Sequence, residues 1–275
     1  MNLRTLRVIA LKDLREARQN RVALVAVAVL PLFLCVLLPL VCVLAPQLGP
    51  VEGLSRTLNT GPIANALRRM PALAALVGTL DPIQAWIAIS TGYLFAPLML
   101  IMPLMVSTTL GAESFVGEKE RKTIEALLYT PASDSELFLA KVLAATIPAT
   151  GLSWLCFALY GAVVNVAGWP VMGRLWFPPL NWWPLMLWVT PAFAALGVAL
   201  TVLISTRVRT FMEAYQLSGS LVLVVLLLLA GQLTGFLFLG VGATLAVGAL
   251  LWAIDIILIR WAIRIFSRER LLASL

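Results

Sequence analysis

Charged side chains are scarce in this chain, and most of those able to recognise another molecule are gathered between Glu113 and Lys141. Glu113, Glu118, Glu120, Glu125, Asp134 and Glu136 stand there against Lys119, Arg121, Lys122 and Lys141. Mixed charge of this kind forms ion pairs; it recognises surfaces and makes no bonds. Ile124, Leu127 and Leu128 fall on one helical face, with Glu118, Lys122 and Glu125 elsewhere, and Glu118 and Lys122 stand at a favourable i,i+4 spacing. A charged helix with an apolar stripe suits docking into a groove on another protein. Thr130-Pro131 stops that helix, since the residue before proline disfavours helical geometry. Ser133 and Glu136 have capping-box spacing ahead of the apolar run from Leu137. The stretch therefore reads as helix, sharp break, helix.

Other chemistry is thin. There is no histidine, and Cys35, Cys42 and Cys156 show no Cys-x-x-Cys spacing. Metal-dependent and histidine-dependent catalysis lose their usual ligands, and the cysteines read as buried apolar thiols. No Gly-Lys dipeptide occurs, so the chain has no P-loop of its own and binds no nucleotide that way. Asp255 is the one acid deep in an apolar run. A charge at a helix centre costs about 2.5 to 3.5 kcal/mol on insertion scales, so Asp255 should face protein or water, or be protonated. Arg260 lies about 140° around the helix, a poor position for a pair. Asn165, Gln216 and Gln232 are further polar groups in apolar surroundings, suited to hydrogen bonds between helices. Asp255 and Asn165 are the candidates for a transport path.

These residues must be held by membrane helices. The 275-residue chain is 61% hydrophobic and only 12% charged, about half the usual charged share. Crossing a bilayer takes about 20 apolar helical residues. Charge-free runs longer than that occupy 22–51, 82–112, 142–173, 175–206 and 214–254, the last long enough for two spans. The expected fold is an all-α integral membrane protein of six spans, at 22–45, 84–110, 139–166, 184–205, 213–236 and 241–264. Residues 1–21, with Leu3, Leu6, Ala10, Leu14 and Ala17 on one face and basic residues opposite, form an amphipathic interfacial helix. They do not resemble a signal n-region. The loop 46–83 carries a short helix with Ile63, Leu67 and Met70 on one stripe, and Pro71 interrupts it. The polar stretch fills 113–138, a second loop fills 167–183, and 265–275 is a tail. Trp169, Trp176, Trp182, Trp183 and Trp188 gather about that second loop as an interfacial aromatic belt. Gly231 and Gly235 form a G-x-x-x-G pair that allows close helix approach. Of the 20 Lys and Arg residues, all but Arg56, Arg68, Arg69 and Arg174 fall on one side of this topology. The positive-inside bias places both termini and the polar stretch in the cytoplasm. Topology accounts for the net charge of +7, and nucleic acid need not be invoked.

The run Gly117-Glu118-Lys119-Glu120-Arg121-Lys122-Thr123-Ile124-Glu125-Ala126-Leu127-Leu128, with Thr130-Pro131-Ala132-Ser133, Glu136-Leu137 and Lys141, closely resembles the signature of ABC-2-type permeases. Lys122 departs from it, standing where the family often has Gly. In that family the motif lies between spans two and three and contains the coupling helix that enters a cleft of the nucleotide-binding subunit. The resemblance implies partner-binding roles for Glu118, Glu120, Arg121, Thr123, Ile124, Glu125, Leu127, Leu128, Thr130 and Pro131. It implies two permeases, identical or homologous, with two ATP-binding subunits that carry ATP and Mg, in a prokaryotic inner membrane. The chain itself would then be no enzyme and bind no cofactor. Its cargo is an undefined small or amphipathic solute, with sodium, drugs, lipids and peptides all within the family's range. A secondary transporter would show inverted repeats and mid-membrane charges, and an intramembrane enzyme a nucleophile with its base. Neither pattern stands out here.

Overall fold

The computed structural model describes residues 29–49, 53, 56, 58–60, 62–121, 134–205, 207–208, 210–234, 236–237 and 240–265. The expected N-terminal amphipathic helix, and Thr123, Ile124, Glu125, Leu127, Leu128, Thr130 and Pro131, lie outside the described residues. The described chain is helical throughout, without strands, and six helices are long and apolar enough to cross a membrane. They are α1 (Val29–Leu48), α4 (Pro82–Gly117), α5 (Asp134–Met172), α6 (Trp182–Ser205), α7 (Phe211–Leu233) and α8 (Val241–Ile265). Two short helices, α2 (Pro62–Arg69) and α3 (Pro71–Val77), lie between α1 and α4 and meet at the break before Pro71. The end of the bundle where α4 stops and α5 begins carries the ion pairs and is called the charged end. The opposite end, where α5 passes to α6 beneath several tryptophans, is the aromatic end.

Two helices run further than the charge pattern predicts. α4 continues through Glu113 to Gly117 because Glu113 and Ser114 are buried, at 3% exposure each, among partners rather than in solvent. α5 passes Gly168 and Pro170 and ends at Met172. Gly173, in the left-handed region at φ 62, terminates it and donates its N–H to the Trp169 carbonyl at 2.9 Å.

α4 and α6 form the centre. Of their most apolar stretches 83% and 61% are buried, against 17–22% for α1, α7 and α8. Between lipid-soluble helices no hydrophobic force drives association, so close packing must do so. Gly111 of α4 packs on Thr201 of α6, and Gly197 of α6 leaves room for Ser107, Thr108 and Leu104 of α4. Thr201 in turn shares a 3.0 Å hydroxyl contact with Ser218 of α7. Leu155, Val166, Leu223, Leu227 and Ile257 are exposed on the outer surface, as helices solvated by lipid require. The G-x-x-x-G reading does not hold for Gly231, whose open side is filled by Leu237 just beyond its own helix.

Pro97 interrupts α4, and ahead of it the Phe95 N–H donates to the Ser90 carbonyl and the Ala96 N–H to the Tyr93 carbonyl, so neither reaches the Thr91 or Gly92 carbonyl, which lipid cannot satisfy. The preceding turn, Ser90–Leu94, widens to π geometry. The Tyr160 hydroxyl then donates to the Thr91 carbonyl at 2.8 Å, and the Trp182 indole to the Gly92 carbonyl at 2.7 Å. Trp182 is fully buried, stacked on Tyr160 and Phe157 and edge-on to Phe177. It is thus a core residue that repairs a broken helix, not part of an interfacial belt. Trp169, Trp183 and Trp188 are the outward-facing ones. Cys35 and Cys156 are buried, with their thiols facing each other across α1 and α5.

Two expectations follow. Tyr160→Phe should leave the Thr91 carbonyl buried and unpaired, lowering stability by about 1–3 kcal/mol in thermal unfolding of the detergent-solubilised protein; an unchanged midpoint would contradict the repair. Copper-phenanthroline oxidation should join Cys35 to Cys156, giving a thiol-reversible mobility shift that disappears in Cys156→Ala. A cross-link through Cys42 instead would contradict the packing of α1 on α5.

Candidate functional site

At the charged end, the last turns of α4 and the first of α5 form the stem from which residues 122–133 emerge. The final turn of α4, Glu113–Gly117, again has π geometry. This brings Ser114, Phe115 and Glu118 against α5. Lys141 is 1% exposed and Glu118 2%, and their ion pair measures 2.6 Å from Nζ to Oε2. The Lys141 ammonium also donates to the Ser114 carbonyl at 2.6 Å and approaches the Ser114 hydroxyl at 3.2 Å. An ammonium has three N–H donors, and here three oxygens receive them. The Nζ also lies 5.4 Å from the centre of the Phe115 ring, which packs on Phe138 at 5.8 Å. Phe115 and Phe138 join Val142, Ala145, Val198, Val202 and Ala262 in one apolar cluster that separates the ion pair from the rest of the bundle.

A second pair lies nearer the surface. The Arg121 guanidinium, half exposed, donates to buried Glu113 at 2.5 Å. Gly117 stands directly over that carboxylate, where an added Cβ would come within 3.2–3.3 Å of its carbon and oxygens. Glu120 reaches a different helix: its Oε2 accepts the Phe211 backbone N–H at 2.9 Å, in the first turn of α7. Thr210 caps the same turn through the Glu213 N–H at 3.3 Å. The free N–H groups of a helix start attract a carboxylate, so Glu120 ties the end of α4 to α7.

The predicted site residues therefore divide. Glu118 faces inward and is held by Lys141; Lys122 lies outside the described residues. Glu120 and Arg121 are exposed, yet each also clamps the stem. Sequence reasoning missed the Lys141 pairing, although one signal was present: a lysine at the mouth of an apolar span needs a buried counter-charge. Asn165 is committed elsewhere. Its amide donates to the Phe177 carbonyl at 2.8 Å, and its oxygen accepts the Trp176 and Phe177 N–H groups at 3.2 Å each, clasping the α5–α6 loop. Asp255 is fully buried, and neither carboxyl oxygen has a hydrogen-bond partner among the described residues. It lies one turn from Trp252, whose indole reaches the Trp188 carbonyl of α6 at 3.2 Å. The structure brings neither Asn165 nor Asp255 to the stem.

Removing one partner of a buried ion pair costs about 3–5 kcal/mol, whereas replacing both by apolar groups is often neutral. Lys141→Met and Glu118→Gln should each destabilise the purified protein by that order, and Glu118→Leu with Lys141→Met should recover most of the loss. Thermal unfolding of the three variants measures this; a Lys141→Met protein as stable as the parent would contradict it.

Nothing in the described geometry gathers a nucleophile and its base; it ties the end of α4 to α5 and α7. A model of the family described as ABC-2 family transporter protein matches residues 7–250. Neither the curated proteins nor the solved structures contain a significant match. With the family model covering most of its length and six helices able to span a bilayer, the chain belongs to the ABC-2 family of transporter proteins and is a membrane-spanning transport subunit of an ABC transporter.

Proposed function

We propose that the chain is the permease of an ATP-driven exporter, with its charged end in the cytoplasm and residues 122–133 forming the core of a coupling helix. An ATP-binding subunit, with ATP and Mg, grips that helix; two permeases and two such subunits make the transporter. Both termini are cytoplasmic, the membrane is a prokaryotic inner membrane, and the cargo is a small or amphipathic solute. The observation that carries this reading is the clamped stem. Lys141 ties the end of α4 to α5, and Glu120 ties it to α7. A push on the segment between Arg121 and Asp134 would therefore reach three spans at once instead of bending a loop. A motor on another chain needs that rigidity to bias a bundle between two packings.

Co-expression with an ATP-binding subunit and reconstitution in liposomes tests the proposal through solute-stimulated ATP hydrolysis. Glu125→Lys and Leu128→Glu should lower transport several-fold while hydrolysis continues, or abolish co-purification. Transport and partner binding unchanged in both variants would remove the docking role.

A further inference from the structure

At the aromatic end, a cleft of about 380 Å³ opens between α4 and the loop that joins α5 to α6. Its size is that of a small-molecule site. Leu80, Ala88, Tyr93, Met172, Leu175 and Trp176 supply most of its wall, and among the described residues Arg174 is the one ionised side chain that lines it. Arg174 makes no hydrogen bond or ion pair with any described residue and is exposed. A guanidinium left without a counter-charge beside aromatic and aliphatic walls is an anion receptor with an apolar floor.

The walls are built, not incidental. Gly173, at φ 62, ends α5 and turns the chain so that Arg174 begins the loop at the cleft. Asn165 clasps the backbone at Trp176 and Phe177 from the side of α5. The Trp176 ring is wedged between helices: an added Cβ at Gly92 of α4 would lie 3.0 Å from it, and one at Gly168 of α5 3.6 Å. Tyr93 forms a partition. It lines this cleft on one side and, on the other, a second cavity walled by Ile63, Leu67, Met70, Leu73 and Ile89. Gln232 of α7 also lines that second cavity, and its buried carbonyl oxygen has no hydrogen-bond partner among the described residues. Arg69 of α2 holds the short helices over it through the Thr234 carbonyl at 3.4 Å.

We infer that this cleft is a binding site for an anionic amphiphile, its acidic head on Arg174 and its apolar body along Leu80, Met172, Leu175 and Trp176. The head can be that of a membrane lipid or of a soluble amphipathic anion, since the chemistry of recognition is the same. That this anion is also the exported cargo rests on the proposed function; the binding does not.

The test uses the purified full chain, without an ATP-binding subunit, in phosphatidylcholine nanodiscs. Calorimetric titration with dodecyl phosphate should give saturable heat beyond that of empty discs, and dodecyltrimethylammonium should give none. Arg174→Gln should weaken binding about tenfold or more, as loss of a charge-assisted hydrogen bond does, with Arg174→Lys between. Leu175→Glu, at an exposed position, should repel the probe without unfolding the chain, checked by an unchanged thermal midpoint. Loss of the heat in phosphatidylglycerol discs would make the natural occupant a lipid headgroup; its persistence would make it a soluble anion. Absence of saturable binding, equal affinity in parent and Arg174→Gln, or equal binding of the cationic probe would overturn the inference. Because no ATP-binding subunit is present, failure here leaves the export reading standing, and failure of export leaves this site standing.

Discussion

A single ammonium group organises the charged end of this bundle. Lys141 is almost wholly buried, so its three donors had to be met inside the protein. Glu118 and Ser114 meet them, and both come from the same helix. That requirement fixes the last turns of α4 against α5, and the wider π turn at Glu113–Gly117 helps bring those oxygens to one place. With α4 fixed, Glu120 is placed to cap the start of α7, and Arg121 folds back onto Glu113. The end of α4, up to Arg121, is thereby anchored to α5 and α7.

The same logic recurs in the membrane interior, where the backbone makes the demand. Pro97 breaks the ladder of α4, and Tyr160 and Trp182 from two neighbouring helices take over the carbonyls left open in the irregular turn ahead of it. Glycines at 111 and 197 let α4 and α6 approach, so the interrupted helix remains the best-buried one. Asp255 departs from the pattern: its carboxyl is buried without a hydrogen-bond partner among the described residues.

Much of this was legible in the sequence, for reasons that differ by element. The six spans are visible because lipid tolerates few charges, and long charge-free runs have no other use in a chain this apolar. The signature after Gly117 pointed to the ABC-2 family, and the family match bears that membership out. Helix ends were less legible. A charge pattern cannot distinguish a glutamate in water from Glu113, buried beneath Arg121. Trp182 looked interfacial because tryptophan prefers that depth, but its indole is spent on the Gly92 carbonyl, left open in the irregular turn ahead of Pro97. Asn165 looked like a lining residue, since nothing in the sequence says that a loop eleven residues on would take all its hydrogen bonds. Lys141 was noticed only as part of a motif; its partner lies 23 residues away, across a segment whose path no local rule supplies.

Hydrogen–deuterium exchange on the lipid-embedded chain, comparing the parent with Lys141→Met, measures whether this buried charge holds the stem. The account predicts slow exchange at 114–121 and 138–145 in the parent and coordinated opening of both segments in the variant, with the amides around Tyr160 and Trp182 unchanged. Equal protection of the two segments in both proteins would contradict it.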